Sequence, residues 1–122
     1  MRLALMHSRI RAEERLLLDE LKTRCLDVAV IDMRTVTLNP WSRDWPRYNV
    51  ILQRCLSHSM ALASLKFFEG MGIPCINSYA TALTCGDKHL TTIELKRAGI
   101  PTPETRIAFS DSAALDATEE LG

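Results

Sequence analysis

Two groups of charged residues in this sequence are spaced to do chemistry on an anion. The first is Asp87-Lys88-His89, in which Asp87 reads as a helix N-cap and Lys88 and His89 fall in the first turn that follows. The helix macrodipole disfavours positive charge at that end by about 0.3 to 1 kcal/mol. A lysine there breaks a local rule, which is a reason to look for a negative ligand; a solvated lysine screened by Asp87 accounts for the same residues. The second group is Arg54-Cys55-Leu56-Ser57-His58-Ser59, with Arg9 and Arg11 near the start of the chain. Ser57 and Ser59 stand where a helix begins, beside N–H groups that lack intrahelical partners, and Arg54 enters the same turn. An acidic substrate or a terminal carboxylate suits that site, and so does the plainer reading of a serine cap flanked by surface arginines.

Other chemistries find little support. His7, His58 and His89 have no ligand spacing, and the acidic residues near the C-terminus read as a solvated helix face, so no metal site is visible. Cys55 and His58 form a nucleophile pair on paper, but a small buried cysteine is the simpler reading. Cys25, Cys55, Cys75 and Cys85 show no Cys-x-x-Cys spacing. Lysine and arginine total 15 and acids 15, so the formal net charge is zero and no basic field recruits nucleic acid or an anionic membrane. The apolar opening Met1 to Met6 is too short for a signal-peptide core or a membrane span. The expectation is a cytoplasmic protein with reduced cysteines.

The elements that must hold these residues alternate strand and helix. Arg2 to Met6 reads as a first strand; neither a Gly-x-Gly-x-x-Gly turn nor an acidic cluster follows it, which argues against a dinucleotide fold and a phospho-receiver domain. A helix from Ala12 to Arg24 turns Leu17, Leu18, Leu21 and Cys25 inward. Leu26 to Ile31 is a buried second strand, and Thr35 to Pro40 an edge ribbon or irregular connection. Pro40 and Pro46 forbid a regular helix between Asn39 and Arg47, and Trp41 and Trp45 read as surface packing over a strand edge. Asn49 to Gln53 is a third strand, followed by a largely buried helix to Met71.

Two Gly-Ile-Pro stop signals, at Gly72 and Gly99, then bracket a strand end at Cys75 to Asn77 and a short helix or turn from Ser78 to Cys85. Between them also lies a helix from Asp87 to Ala98, with Leu90, Ile93 and Ala98 on one face. After the second signal, Thr105 to Phe109 reads as a strand, capped by Ser110 or Asp111 before a helix from Ala113 to Leu121. Short connections between such elements predict a parallel sheet covered on both faces, with ligands at the carboxyl ends of its strands.

Ile76-Asn77, Cys85-Gly86-Asp87-Lys88, Thr91-Thr92 and Ala98-Gly99-Ile100-Pro101-Thr102-Pro103-Glu104-Thr105 resemble the end of the N-terminal domain and the entry to the central domain of ATP-grasp ligases. The resemblance is to the RimK-like branch and, within it, the LysX family of lysine biosynthesis. It spans nearly the whole chain, including Arg9-Ile10-Arg11 and Arg54-Cys55-Leu56-Ser57. It implies an α/β fold: a three-layer, Rossmann-like pre-ATP-grasp domain over residues 1–101, and the first strand and helix of the ATP-grasp domain over 102–122. The implied activity activates a carboxylate as an acyl phosphate and joins it to an amine. α-Aminoadipate or glutamate is then the amino-acid substrate, a small acidic carrier protein the partner, and ATP with Mg2+ the cofactors. Lys88 is the implied nucleotide contact, with metal ligands outside these residues. A homo-oligomer is expected, because a truncated domain exposes apolar surface. The alternative is a stand-alone α/β binding module that keeps the fold without the reaction.

Overall fold

The computed structural model describes residues 1–24 and 26–122. Cys25, expected on the inward face of the first helix, lies outside them. The described residues form two compact units, Met1–Leu83 and Thr84–Gly122.

The first unit is built on a parallel four-stranded sheet in the order β2-β1-β3-β4. Its strands are β1 Arg2–His7, β2 Asp27–Asp32, β3 Val50–Arg54 and β4 Cys75–Ile76. Leu3 to His7 of β1 are buried without alternation, as expected of a central strand covered on both faces. Helix α1, Ala12–Thr23, carries the chain from β1 out to β2; helix α2, His58–Gly70, carries it from β3 the other way to β4. Right-handed crossovers in opposite directions put the two helices on opposite faces, which gives the three layers the sequence implies.

The main core lies on the α2 face, where Ala4, Met6 and Ile51 of the sheet meet Met33, Trp45, Tyr48, Phe68 and Ile73. Here one expectation needs correction. Trp41 is exposed at 87%, but Trp45 is 8% exposed and packs edge-on against Phe68, ring centroids 5.2 Å apart. The chain from β2 to β3 must cross β1 without a helix of its own. Trp45, held by a single 3-10 turn over Trp45–Arg47 with Pro46 inside it, supplies the apolar cover a helix would have given. Helix α2 buries one face, through Ser64, Leu65 and Phe68, and leaves Lys66 and Glu69 exposed.

Both Gly-Ile-Pro signals end helices by the same hydrogen bonds. Gly72 has φ +75°, its N–H donates to the Glu69 carbonyl at 2.9 Å, and the Ile73 N–H donates to Phe68 at 3.0 Å. Gly99 has φ +69°, with the Gly99 N–H to Lys96 at 3.1 Å and the Ile100 N–H to Leu95 at 3.0 Å. Each pair is a Schellman motif, and at the first the Ile73 and Phe68 side chains share the core.

Helix α3, Tyr79–Gly86, leads into the second unit, which contains α4, Lys88–Arg97, and α5, Asp111–Leu121. Ser110 caps α5, accepting from the Ala113 N–H at 3.2 Å. The strand expected over Thr105–Phe109 is not formed: residues 101–108 are irregular and pair with no strand. A strand is stabilised by its ladder, and no other extended segment of this unit offers a partner edge. Arg106 is tied instead to Glu104 and Glu120 by ion pairs.

The two tryptophans give a direct test of this packing. Trp45→Ala removes a buried aromatic and is expected to lower unfolding stability by about 3 to 5 kcal/mol, whereas Trp41→Ala should stay within about 0.5 kcal/mol. Urea unfolding followed by circular dichroism measures both, and equal losses would contradict the core assignment.

Candidate functional site

Strand order reverses between β1 and β3, and in open parallel sheets that reversal opens a crevice at the carboxyl ends of the strands. His7 ends β1 in register with Asp32 on β2 and Arg54 on β3, so the three side chains stand in a row on one face. The turns beyond the strands are joined, since the Leu56 N–H donates to Ser8 Oγ at 3.0 Å.

The Arg54 end of this row is held by a residue that the sequence reading missed. Glu14, in the first turn of α1, has no solvent exposure. Its carboxylate accepts from Arg11 Nε at 3.0 Å, Arg11 Nη2 at 2.9 Å and the Arg11 backbone N–H at 3.1 Å. Arg54 reaches the same carboxylate from β3, with Nε 3.0 Å and Nη2 2.8 Å from Oε1. Donation from the Arg11 side chain outweighs burial and, with help from Arg54, holds the Glu14 carboxyl at about 2. Arg11 and Arg54 keep about a third of their side-chain surface in solvent, 37% and 35%, so two guanidiniums share one acid and still face outward.

Of the sequence candidates, Arg11 and Arg54 therefore come together on Glu14, while Arg9 stands exposed with no ion pair among the described residues. Ser57 caps α2, accepting from the Met60 N–H at 3.3 Å, and its hydroxyl bonds that of Ser59 at 3.1 Å. His7 is 8% exposed and its Nδ1 is buried with no hydrogen-bond partner among the described residues. Asp32 beside it is engaged by Arg34, whose guanidinium holds its carboxyl well below the usual range. Burial, helped by Asp32, pushes the Cys55 thiol up to about 11; Cys75 is also raised to about 11, by burial and Glu69. Such thiols are protonated at neutral pH and make poor nucleophiles.

In the second unit Lys88 is the first residue of α4 and is exposed. It borders a cleft of about 430 Å³ with Cys85, Thr91, Thr92, Thr102 and Thr105. The Asp87 carboxylate accepts from the N–H groups of His89 and Leu90 at 2.8 and 3.0 Å, so it already occupies the helix end. Thr91 and Thr92 give their hydroxyl protons to backbone carbonyls, which leaves the Lys88 ammonium as the positive donor at this cleft. That donor fits one part of a nucleotide phosphate. Among the described residues no group of three or more His, Cys, Asp or Glu converges.

Residues 3–84 match the model of the LysX preATP-grasp domain. The glutamate-LysW ligase ArgX of Sulfolobus acidocaldarius is 39% identical over 122 residues, covering 100% of this chain and 43% of the relative. The α-aminoadipate-LysW ligase LysX of Saccharolobus solfataricus is 36% identical over 115 residues, covering 92% of this chain and 41% of that protein. The crystal structure of a RimK domain ATP-grasp protein from Sphaerobacter thermophilus superposes with a TM-score of 0.82 at 27% identity, over 100% of this chain and 46% of that one. The chain thus spans less than half the length of the relatives it matches.

The Glu14 cluster predicts a pH dependence. A carboxyl held below its unfolded value of 4.5 contributes stability that is fully present above that value and is lost as pH falls toward about 2. Glu14→Gln should lower stability at neutral pH by about 1 to 3 kcal/mol, because the partner arginines are partly solvated. The gap to the unsubstituted chain should close between pH 4.5 and about 2. Thermal unfolding of both proteins across that range checks it; a gap independent of pH would contradict the assignment.

Proposed function

The chain belongs to the LysX preATP-grasp domain family, and from that membership we propose that it works as the N-terminal domain of an ATP-dependent carboxylate-amine ligase. What carries the reading is that likeness to a glutamate-LysW ligase runs over 100% of the chain. The substrate carboxylate is activated as an acyl phosphate and attacked by the amine of an acidic amino acid, glutamate or α-aminoadipate. A small carrier protein of the LysW type is the partner. The family's central ATP-grasp domain begins after Pro101 under this reading.

Two parts of the chain have roles in that reaction. The crevice at the ends of β1 and β3, with Arg9, Arg11 and Arg54 around it and the Ser57-Ser59 turn beside it, holds the acidic substrate by charge. Lys88 supplies a compact positive charge toward the nucleotide. ATP supplies the phosphoryl group, and Mg2+ finds no ligand set among the described residues. No helix among those residues is long and apolar enough to cross a membrane.

The test joins these 122 residues to the remaining segment of a LysX-type or ArgX-type ligase and follows ADP release with amino acid and carrier. Lys88→Ala is expected to raise the KM for ATP about tenfold, the loss of one charge-assisted contact, while the fold stays intact. Arg54→Ala is expected to raise the KM for the acidic amino acid by a similar factor and leave that for ATP in place. Activity indifferent to acidic amino acids, or an ATP affinity unchanged by Lys88→Ala, would count against the respective role. The 122 residues alone should show no magnesium-dependent ATP turnover above the Lys88→Ala background.

A further inference from the structure

Glu14 has a strange position for an acid. It is fully enclosed, yet the two groups that satisfy it come from different elements, Arg11 at the entry to α1 and Arg54 at the exit of β3. Each arginine gives Nε and Nη2 to Glu14, and neither Nη1 has a partner among the described residues. A surface ion pair would be expected to satisfy itself and stop; here one buried acid holds two cations, and the exposed Glu13 lies a further 3.8 Å from Arg11 Nε, yet guanidinium N–H groups stay unengaged. Next to Arg54 in register, His7 presents a buried Nδ1 that no described residue satisfies. A buried polar atom without a partner, beside unengaged guanidinium donors in the strand-order crevice, points to a group that arrives from outside.

We propose that Glu14 is the positioning residue of this crevice: it holds Arg11 and Arg54 together so that their free N–H groups grip a carboxylate of a dicarboxylic amino acid, with His7 as the further polar contact. The proposal rests on the acidic-substrate reading and adds what sets its geometry. One carboxylate of the ligand takes the free guanidinium N–H groups, and the exposed Arg9 attracts the second. A monocarboxylic amino acid of the same length leaves that second attraction unused. Without Glu14 the two guanidiniums repel one another and lose the fixed planes on which bidentate recognition depends.

The arginine Nε–H resonances of the 122-residue chain report on this directly, and L-glutamate and L-glutamine are the probes. The free protein should show separate, exchange-protected signals for Arg11 and Arg54. L-Glutamate should shift them together with the His7 ring signals and bind at least about tenfold more tightly than L-glutamine. Glu14→Gln should lose the protection and about tenfold in glutamate affinity, and Glu14→Asp should recover part of both. Should Glu14→Gln fail to fold, Glu14→Asp alone decides, with an unchanged affinity overturning the proposal. No shift on adding L-glutamate to the unsubstituted chain overturns the acidic-substrate reading and the proposal with it. Glutamate binding that Glu14→Gln leaves intact, with arginine signals unmoved, overturns the positioning role alone; equal binding of glutamine overturns the dicarboxylate.

Discussion

One carboxylate without solvent exposure, shared by two arginines, is the constraint on which the carboxyl end of the sheet depends. Removing a carboxylate from water is costly, and the geometry that offsets the cost must be good on both oxygens. Here Arg11 takes both oxygens and Arg54 adds two donors to one of them. The arrangement therefore fixes more than a side chain. It sets the angle at which α1 leaves β1, because the Arg11 N–H is one of the donors, and it pins the last residue of β3 to the far side of the crevice. The Leu56 to Ser8 hydrogen bond joins the same two turns a second time.

Topology explains why such a device sits there. The helices leave β1 and β3 toward opposite faces, so the turns after these two strands diverge and leave a gap. Apolar packing cannot close that gap, since the strand ends carry His7, Asp32 and Arg54 rather than aliphatic residues. Charge and hydrogen bonds bridge it instead. On the opposite face of the sheet the core is conventional, with Trp45 and Phe68 packed edge-on over Met6 and Ile51.

Much of this was legible in the sequence. The strand and helix alternation, the two Gly-Ile-Pro stops, the Asp87 cap and a cap at Ser110 or Asp111, which is Ser110, each rest on local backbone chemistry, and local chemistry survives folding. The resemblance to ATP-grasp ligases also read correctly, because it rested on several separated motifs. Glu14 did carry a signal. It lies three, four and seven residues before Leu17, Leu18 and Leu21, on their helix face, and three after Arg11 in a capping-box position. An acid inside an apolar stripe asks for a buried cation, but Arg54 is distant in sequence and only the fold supplies it. Trp45 was misplaced for a related reason, since nothing local says that a loop must roof the sheet. Thr105 to Phe109 had strand-like composition and no edge to pair with.

The two glycines that close α2 and α4 separate room from handedness. A β-carbon built on Gly72 or Gly99 meets nothing within 4 Å, so neither position is crowded. What excludes other residues is the sign of φ, +75° and +69°, which an L-amino acid reaches at a cost of about 1 to 2 kcal/mol. These stops are therefore chiral filters rather than steric ones. Substitution should be graded by tolerance of the left-handed region, with Asn losing least and β-branched residues most, irrespective of size or polarity.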